Sequence, residues 1–230
     1  MAVVVGPRTP ILSVLTDGLI YYVDAGNPNS IKLGESTWKD LTQSNNGTLT
    51  NGAIWTNNSS GAVSFDGVDD FVDVPGFSIT SEIGSGSDFT IHSWFKADNN
   101  VQGMLVTCPG TPRFYIEQIF GGGYHKAHWG IGGAQNSTTS LALLNTSDIF
   151  NYVVTYDGTN ARGYLNGVLT DTTNIGSQTY STATLRIGKY TNVTPLCFNG
   201  NIYQAAIYNR ALTGSEVLTN YNTFKTRFGY

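Results

Sequence analysis

The sequence predicts an all-β protein, a sandwich or barrel of short antiparallel strands with one short helix near the C-terminus. Three observations carry that prediction. Strand-length runs of alternating character follow one another at close spacing, glycine-bearing turn pairs separate several of them, and a single helix-start signature stands near the end. At 230 residues a sandwich of this kind buries a full core as one domain. Charged residues make up only 12% of the chain and glycine numbers 27, against roughly 25% charge in ordinary soluble domains. Solubility therefore rests on hydroxyls and amides more than on ions.

The elements follow in order. "GLIYYVDAG" opens the domain, and "GTLTNGAIWT" follows with Asn51-Gly52 as a turn dipeptide. "AVSFDG" and "DFVDVP" are next, with Asp66-Gly67 placed where a hairpin would reverse. "DFTIHSWFKAD", "GMLVTC", "RFYIEQIF" and "HWGIGG" continue the series. In "YVVTYDGTNARGYLNGVLTDT" both Asp157-Gly158 and Asn166-Gly167 are favoured turn pairs, because glycine accepts positive φ. Three consecutive antiparallel strands follow from them. "TLRIGKY" and "GNIYQAAIYNR" complete the strands. In "LTGSEVLTNYNTF", Thr213 caps a helix while Glu216 reaches back to its amide. Val217, Leu218, Tyr221 and Phe224 then form its apolar stripe.

Composition narrows the function classes. Twelve Lys and Arg against sixteen Asp and Glu give a net charge of -4 with no basic stripe, so a nonspecific grip on nucleic-acid phosphates is not expected. No stretch approaches the roughly 18 apolar residues of a membrane span. The N-terminus lacks the basic start of a secretory signal, and Gly6, Pro7 and Pro10 interrupt its apolar run. Cys108 and Cys197 are far apart and are read as unpaired core thiols rather than a bridge or a metal knuckle. Residues 1–16 read as an arm lying outside a domain that spans 17–230.

Asp66, Asp69, Asp70 and Asp73 fall within eight positions, and two readings compete for them. In one, Asp66 accepts backbone hydrogen bonds inside the turn while its neighbours keep the loop hydrated. In the other, Asp69 and Asp70 are ligands for calcium, a hard cation that takes six to eight oxygens. The spacing is not that of an EF-hand. Paired catalytic carboxylates are not expected, because the only glutamates are Glu35, Glu82, Glu117 and Glu216 and none has a second carboxylate at strand spacing. No nucleophile elbow or phosphate loop occurs. In "GGGYHKAHWGIGG" the glycines argue for a loop, with His125 and His128 facing solvent. Tyr124, His125 and Trp129 there offer faces on which a sugar ring could stack, with core packing the competing reading for Trp129.

Five segments together resemble a known family. "VSFDGVDDFVDVP", "DFTIHSWFKA", "NYVVTYDGTNARGYLNGVL", "LRIGKY" and "FNGNIYQAAIYNRALTGSEVLTNYN" are similar, in order, to signature segments of laminin-G-like domains of the concanavalin A-like lectin/glucanase superfamily. The resemblance covers about Leu19 to Tyr221. It implies a jelly-roll sandwich of two curved antiparallel sheets with the C-terminal helix packed at an edge. The E-x-D-x-E strand of the glucanase branch is absent here, so that activity is not implied. Some relatives bind calcium near the sheet rim, where this chain offers Asp66, Asp69 and Asp70.

A lone domain of this kind, low in charge and with an apolar arm ahead of it, resembles the copies found in bacteriophage virions. The expectation is a non-enzymatic virion surface protein, a capsid decoration or tail-fibre module assembled in the host cytoplasm, with weak affinity for a host glycan. The alternative is a secreted or cell-surface carbohydrate-binding protein or carbohydrate-active enzyme. Pro7 and Pro10 bar the arm from a central strand. "AVVV" is therefore read either as a strand added to the sheet edge of another virion protein or a second copy, or as an ordinary disordered terminus.

Overall fold

Two antiparallel sheets face each other across an apolar core. The first runs β13 (Val168–Asn174), β12 (Asn160–Leu165), β11 (Phe150–Tyr156), β7 (Phe89–Ala97), β15 (Asn199–Tyr208), β5 (Ala62–Asp66) and β4 (Ile54–Thr56), and β1 (Leu19–Asp24) also pairs with β15. The second runs β10 (Tyr124–Gly132), β9 (Arg113–Gly121), β8 (Gly103–Cys108), β14 (Thr184–Ile187), β6 (Phe71–Ser78), β3 (Gly47–Thr50) and β2 (Thr37–Trp38). Two helices join them: the single turn α1 (Ile79–Glu82) and α2 (Gly214–Phe224). The computed structural model describes residues 14–230 apart from 43, 85–86, 99–101, 110–112, 122–123, 133–146, 181 and 192–195.

The core forms where the inward positions of both sheets meet. Tyr21, Val63, Phe65 and Ile91 from the first sheet pack with Val72, Val74, Ile116, Trp129 and Leu185 from the second. Phe89 centres an aromatic cluster, 4.3 Å from the Phe114 ring and 5.6 Å from that of Tyr156. Cys108 and Cys197 are both buried.

Two turns do something other than the sequence suggests. Asp66-Gly67, expected to close a hairpin, carries the chain from one sheet to the other: β5 pairs with β4 and β15, while β6 pairs with β3 and β14. Asn51-Gly52 likewise links β3 in the second sheet to β4 in the first. A turn dipeptide reports a chain reversal, not whether the flanking strands become hydrogen-bonded partners. That depends on the register chosen by the core.

The outer face of the first sheet is covered by α2, which is why β7, β11 and β15 are buried on both faces. Thr213 and Glu216 form the expected capping box, and Arg210 adds a two-pronged contact to Glu216 at 2.8 and 3.0 Å. Val217, Tyr221 and Phe224 dock on the sheet, and the Tyr221 ring stacks on Trp94 at 5.5 Å. Leu218, expected in this stripe, is 44% exposed. Asn220 is buried instead, donating to the Tyr208 hydroxyl and accepting from the Leu15 amide.

Of the arm, residues 1–13 lie outside the described residues. Val14 is buried in one cluster with Tyr208, Leu212, Val217 and Phe224, so the chain meets the domain before residue 17. Deleting residues 1–13 is expected to leave the melting midpoint unchanged. Extending the deletion through Thr16 removes a buried valine worth about 1.5–3 kcal/mol and the Asn220 contact. A scanning-calorimetry comparison of the two truncations checks this, and equal midpoints would show that Val14 contributes nothing.

Candidate functional site

The acidic turn between β5 and β6 is the first site the sequence singles out. Asp66 does the local work expected of it: its Oδ1 accepts from the Val68 amide at 2.8 Å, and its own amide donates to Asp70 Oδ2 at 2.9 Å. Asn199 and Asn51 donate to the carbonyls of Asp66 and Asp69. The fold also brings one carboxylate oxygen each of Asp66, Asp69 and Asp70 within 4.8 Å of one another, the one such group of three among the described residues. That spread suits oxygens placed about 2.3–2.6 Å from a single calcium ion. Asp70 is buried and its Oδ1 has no hydrogen-bond partner among the described residues. Burial raises its pKa, partly offset by the Asp66 amide, and the charges of Asp66 and Asp69 raise it further. Against a cation stands Lys189, whose ammonium reaches the Asp69 carbonyl at 3.4 Å.

If the turn holds calcium, saturating the protein at about 100 Kd stabilises it by roughly 2.7 kcal/mol. Melting in EDTA and then in excess calcium reads this directly. An unchanged midpoint assigns the turn to hydrogen bonding alone.

The histidine and aromatic segment is not a loop. Tyr124 to Gly132 form β10, in register with β9: Tyr124 opposes Gly121 and His125 opposes Phe120. The side chains of Tyr124 and His125 lie outside those described. Trp129 points into the sandwich and is 1% exposed, so it offers no face to a sugar and the core-packing reading holds. The physical reason is the period of two: Ala127, Trp129 and Ile131 share the inward side. His128 then falls on the outer side.

That outer side carries a constellation the sequence reading did not find. Glu117 of β9 is buried, with Oε1 2.5 Å from His128 Nδ1 and Oε2 accepting from Gln102 at 2.7 Å. Tyr115 lies across Gly130, where a Cβ would come within 2.3 Å of its ring. Its ring is 6.1 Å from His128 and 6.4 Å from Tyr190. The ladders align Tyr115 with Thr107, Thr107 with Arg186, Arg186 with Asp73 and Asp73 with Thr48. The result is a polar row across the second sheet, in which Arg186 pairs with Asp73 at 3.3 Å and lies 5.1 Å above the Phe71 ring. The signal for it was the off-core position of each strand, which becomes a site only once register is known.

The row sets a limit on chemistry. Glu117 and Asp73 sit on strands separated by three ladder spacings, about 14 Å at roughly 4.8 Å each. Glycoside hydrolysis by paired carboxylates needs roughly 5–9.5 Å.

This sandwich places the protein in a known class. The chain belongs to the concanavalin A-like lectin/glucanases superfamily, whose laminin-G-like family model matches residues 65–218. No curated protein matches it in sequence. Several solved structures share the fold. Trypanosoma rangeli sialidase matches with a TM-score of 0.68 at 15% identity, over 95% of this chain and 35% of the sialidase chain. Domain 4 of AbnA, a GH43 extracellular arabinanase from Geobacillus stearothermophilus in complex with arabinotriose, gives 0.68 at 16%, over 87% of this chain and 97% of the domain. The binding domain of botulinum neurotoxin DC, in complex with rat synaptotagmin II, gives 0.60 at 12%, over 90% and 51%. The chain thus spans about a third of the sialidase's length. At these identities the likeness is one of fold.

Proposed function

We propose that this protein is a non-enzymatic carbohydrate-binding module displayed on a bacteriophage virion, as a capsid decoration or part of a tail fibre. The observation that carries the reading is the second sheet's outer face. It presents Thr48, Asp73 and Arg186 towards solvent beside the buried Thr107 and Tyr115, yet its two carboxylates are committed to Arg186 and His128 and stand too far apart to share one glycosidic bond. The arabinotriose complex of a similarly folded domain supports a saccharide as the ligand class. Virion attachment rests on the sequence resemblance and on an arm whose prolines bar it from a central strand. Other virion proteins, or a second copy, are the partners proposed for residues 1–13.

A panel of polysaccharides tests the catalytic half. The expected outcome is retention on a glycan without release of reducing sugar. Reducing-sugar release that disappears in Glu117→Gln would instead make this a carbohydrate-active enzyme. Capsid or tail genes beside the coding sequence are expected, and a neighbourhood of secreted enzymes would remove the virion assignment.

A further inference from the structure

We infer that a cleft at the edge of the first sheet, floored by Trp55, is a saccharide subsite that takes one sugar ring. It goes beyond the sheet-face reading above and stands on different residues. The cleft encloses about 240 Å³, and Lys32, Leu33, Trp55, Asn57 and Ser60 are among its lining residues. That is below the roughly 300–1,000 Å³ that bury drug-sized ligands. It has room for one ring, and a longer molecule would continue into solvent.

The chemistry of the walls selects the ligand class. The indole N–H of Trp55 is already bonded to the Ala25 carbonyl at 2.8 Å, which fixes the ring, and Trp55 lines the cleft. Trp38, Trp94 and Trp129 are all at most 1% exposed, whereas Trp55 is only partly buried. An aromatic face suits the C–H side of a sugar. The side chains of Lys32, Asn57 and Ser60 are exposed and have no hydrogen-bond or ion-pair partner among the described residues. Uncommitted amide, hydroxyl and ammonium groups around an aromatic floor match the hydroxyl ring of a saccharide. The sheet-face row differs, since its charged groups are paired with one another.

The turn that carries Ser60 is also strained and held. Ser59, Ser60 and Gly61 are three consecutive residues with positive φ, at 44°, 68° and 109°. A Cβ at Gly61 would lie 2.2 Å from the Ala25 carbonyl oxygen. Arg227 donates to the Gly61 carbonyl at 3.1 Å and to Asp24 at 2.7 Å, which anchors the turn to the body of the sandwich. Strained backbone of this kind persists where surrounding structure over-determines it, and it gathers at ligand sites. The cleft is thereby preorganised, with little ordering left for a ligand to impose.

Trp55 supplies its own readout, because the other three tryptophans are shielded from solvent. Intrinsic fluorescence of the full chain is titrated with the methyl glycosides of arabinose, galactose, glucose and mannose. At least one is expected to give a saturable change that vanishes in Trp55→Phe. In Asn57→Ala, an exposed change that spares the fold, affinity is expected to fall by about tenfold, roughly one hydrogen bond's worth. Arg186→Ala, on the sheet face, should leave the Trp55 signal intact. No saturable change with any glycoside overturns the subsite. So does a change that Arg186→Ala abolishes and Asn57→Ala does not, which would move binding to the sheet face and leave the proposed function standing.

Discussion

Arg227→Met is expected to lower unfolding stability by about 3–5 kcal/mol, the cost of leaving a buried charge without its partner. Arg227 Nη1 lies 2.7 Å from Asp24 Oδ1, and both side chains are almost wholly buried. Asp24 also accepts from the Gly26 amide, the Gln204 amide group and the Tyr22 hydroxyl. Those neutral donors would remain around an uncompensated carboxylate. The same guanidinium lies 4.8 Å from the Phe228 ring, and Phe228 packs on Trp94 at 4.5 Å, so the C-terminal turn should loosen with it. The double variant Asp24→Asn, Arg227→Met removes both charges and is expected to recover much of the loss. Urea unfolding of the three proteins at neutral pH measures this. A single variant within 1 kcal/mol of the parent protein, by the same scale of buried pairs, would show that water replaces the guanidinium.

The second large effect concerns acid. His92 lies in the middle of β7, opposite Ala206 and Val153, on the face that α2 covers. It is 1% exposed and neither ring nitrogen has a hydrogen-bond partner among the described residues. Burial pushes its imidazole down from 6.5 to about 3. The folded protein therefore refuses a proton that the unfolded chain accepts. The neutral imidazole's contribution is complete above about pH 6.5 and is lost as pH falls towards 3, by about 5 kcal/mol in all and about 2 kcal/mol by pH 5. Asp157, held at about 2 chiefly by the Asn160 amide, and Glu216, held there chiefly by Arg210, begin to lose theirs as pH falls through the ordinary carboxylate range. Asp70, raised chiefly by burial, works in the opposite sense, so the loss of stability between pH 6.5 and 4.5 is assigned to His92. His92→Leu should flatten melting midpoint against pH across that window and raise it at pH 7. A variant with the parent slope would place the acid-sensitive group elsewhere.

Much of this architecture is readable from residues alone, for reasons that are local. Period-two alternation in "RFYIEQ" and "HWGIGG" marks β9 and β10, because one side of each strand must be apolar to meet the core. Asn166-Gly167 closes the β12–β13 hairpin with φ of 50° and 78°, a conformation those residue types accept cheaply. The capping box at Thr213 and Glu216 spans four residues and needs nothing from the rest of the fold. Glycine-rich sequence before His125 argues for a loop, but the chain is in a strand from Tyr124, opposite Gly121 of β9, because the period-two apolar positions that follow must meet the core.

What the sequence determined by itself is most of the strands, the C-terminal helix, the turn dipeptides and the family, all of which follow from short-range pattern, whereas the two-residue β2 and the single-turn α1 carry no such pattern. Tertiary structure alone decided which strands became partners. It turned Asp66-Gly67 from a hairpin into a crossing between sheets, set Trp129 inward and His128 against Glu117, and brought Trp55 beside Lys32 and Ser60. Each outcome depends on register between segments far apart in the chain. A shift of one residue would exchange every inward side chain for its outward neighbour, and only the packed core selects among those registers.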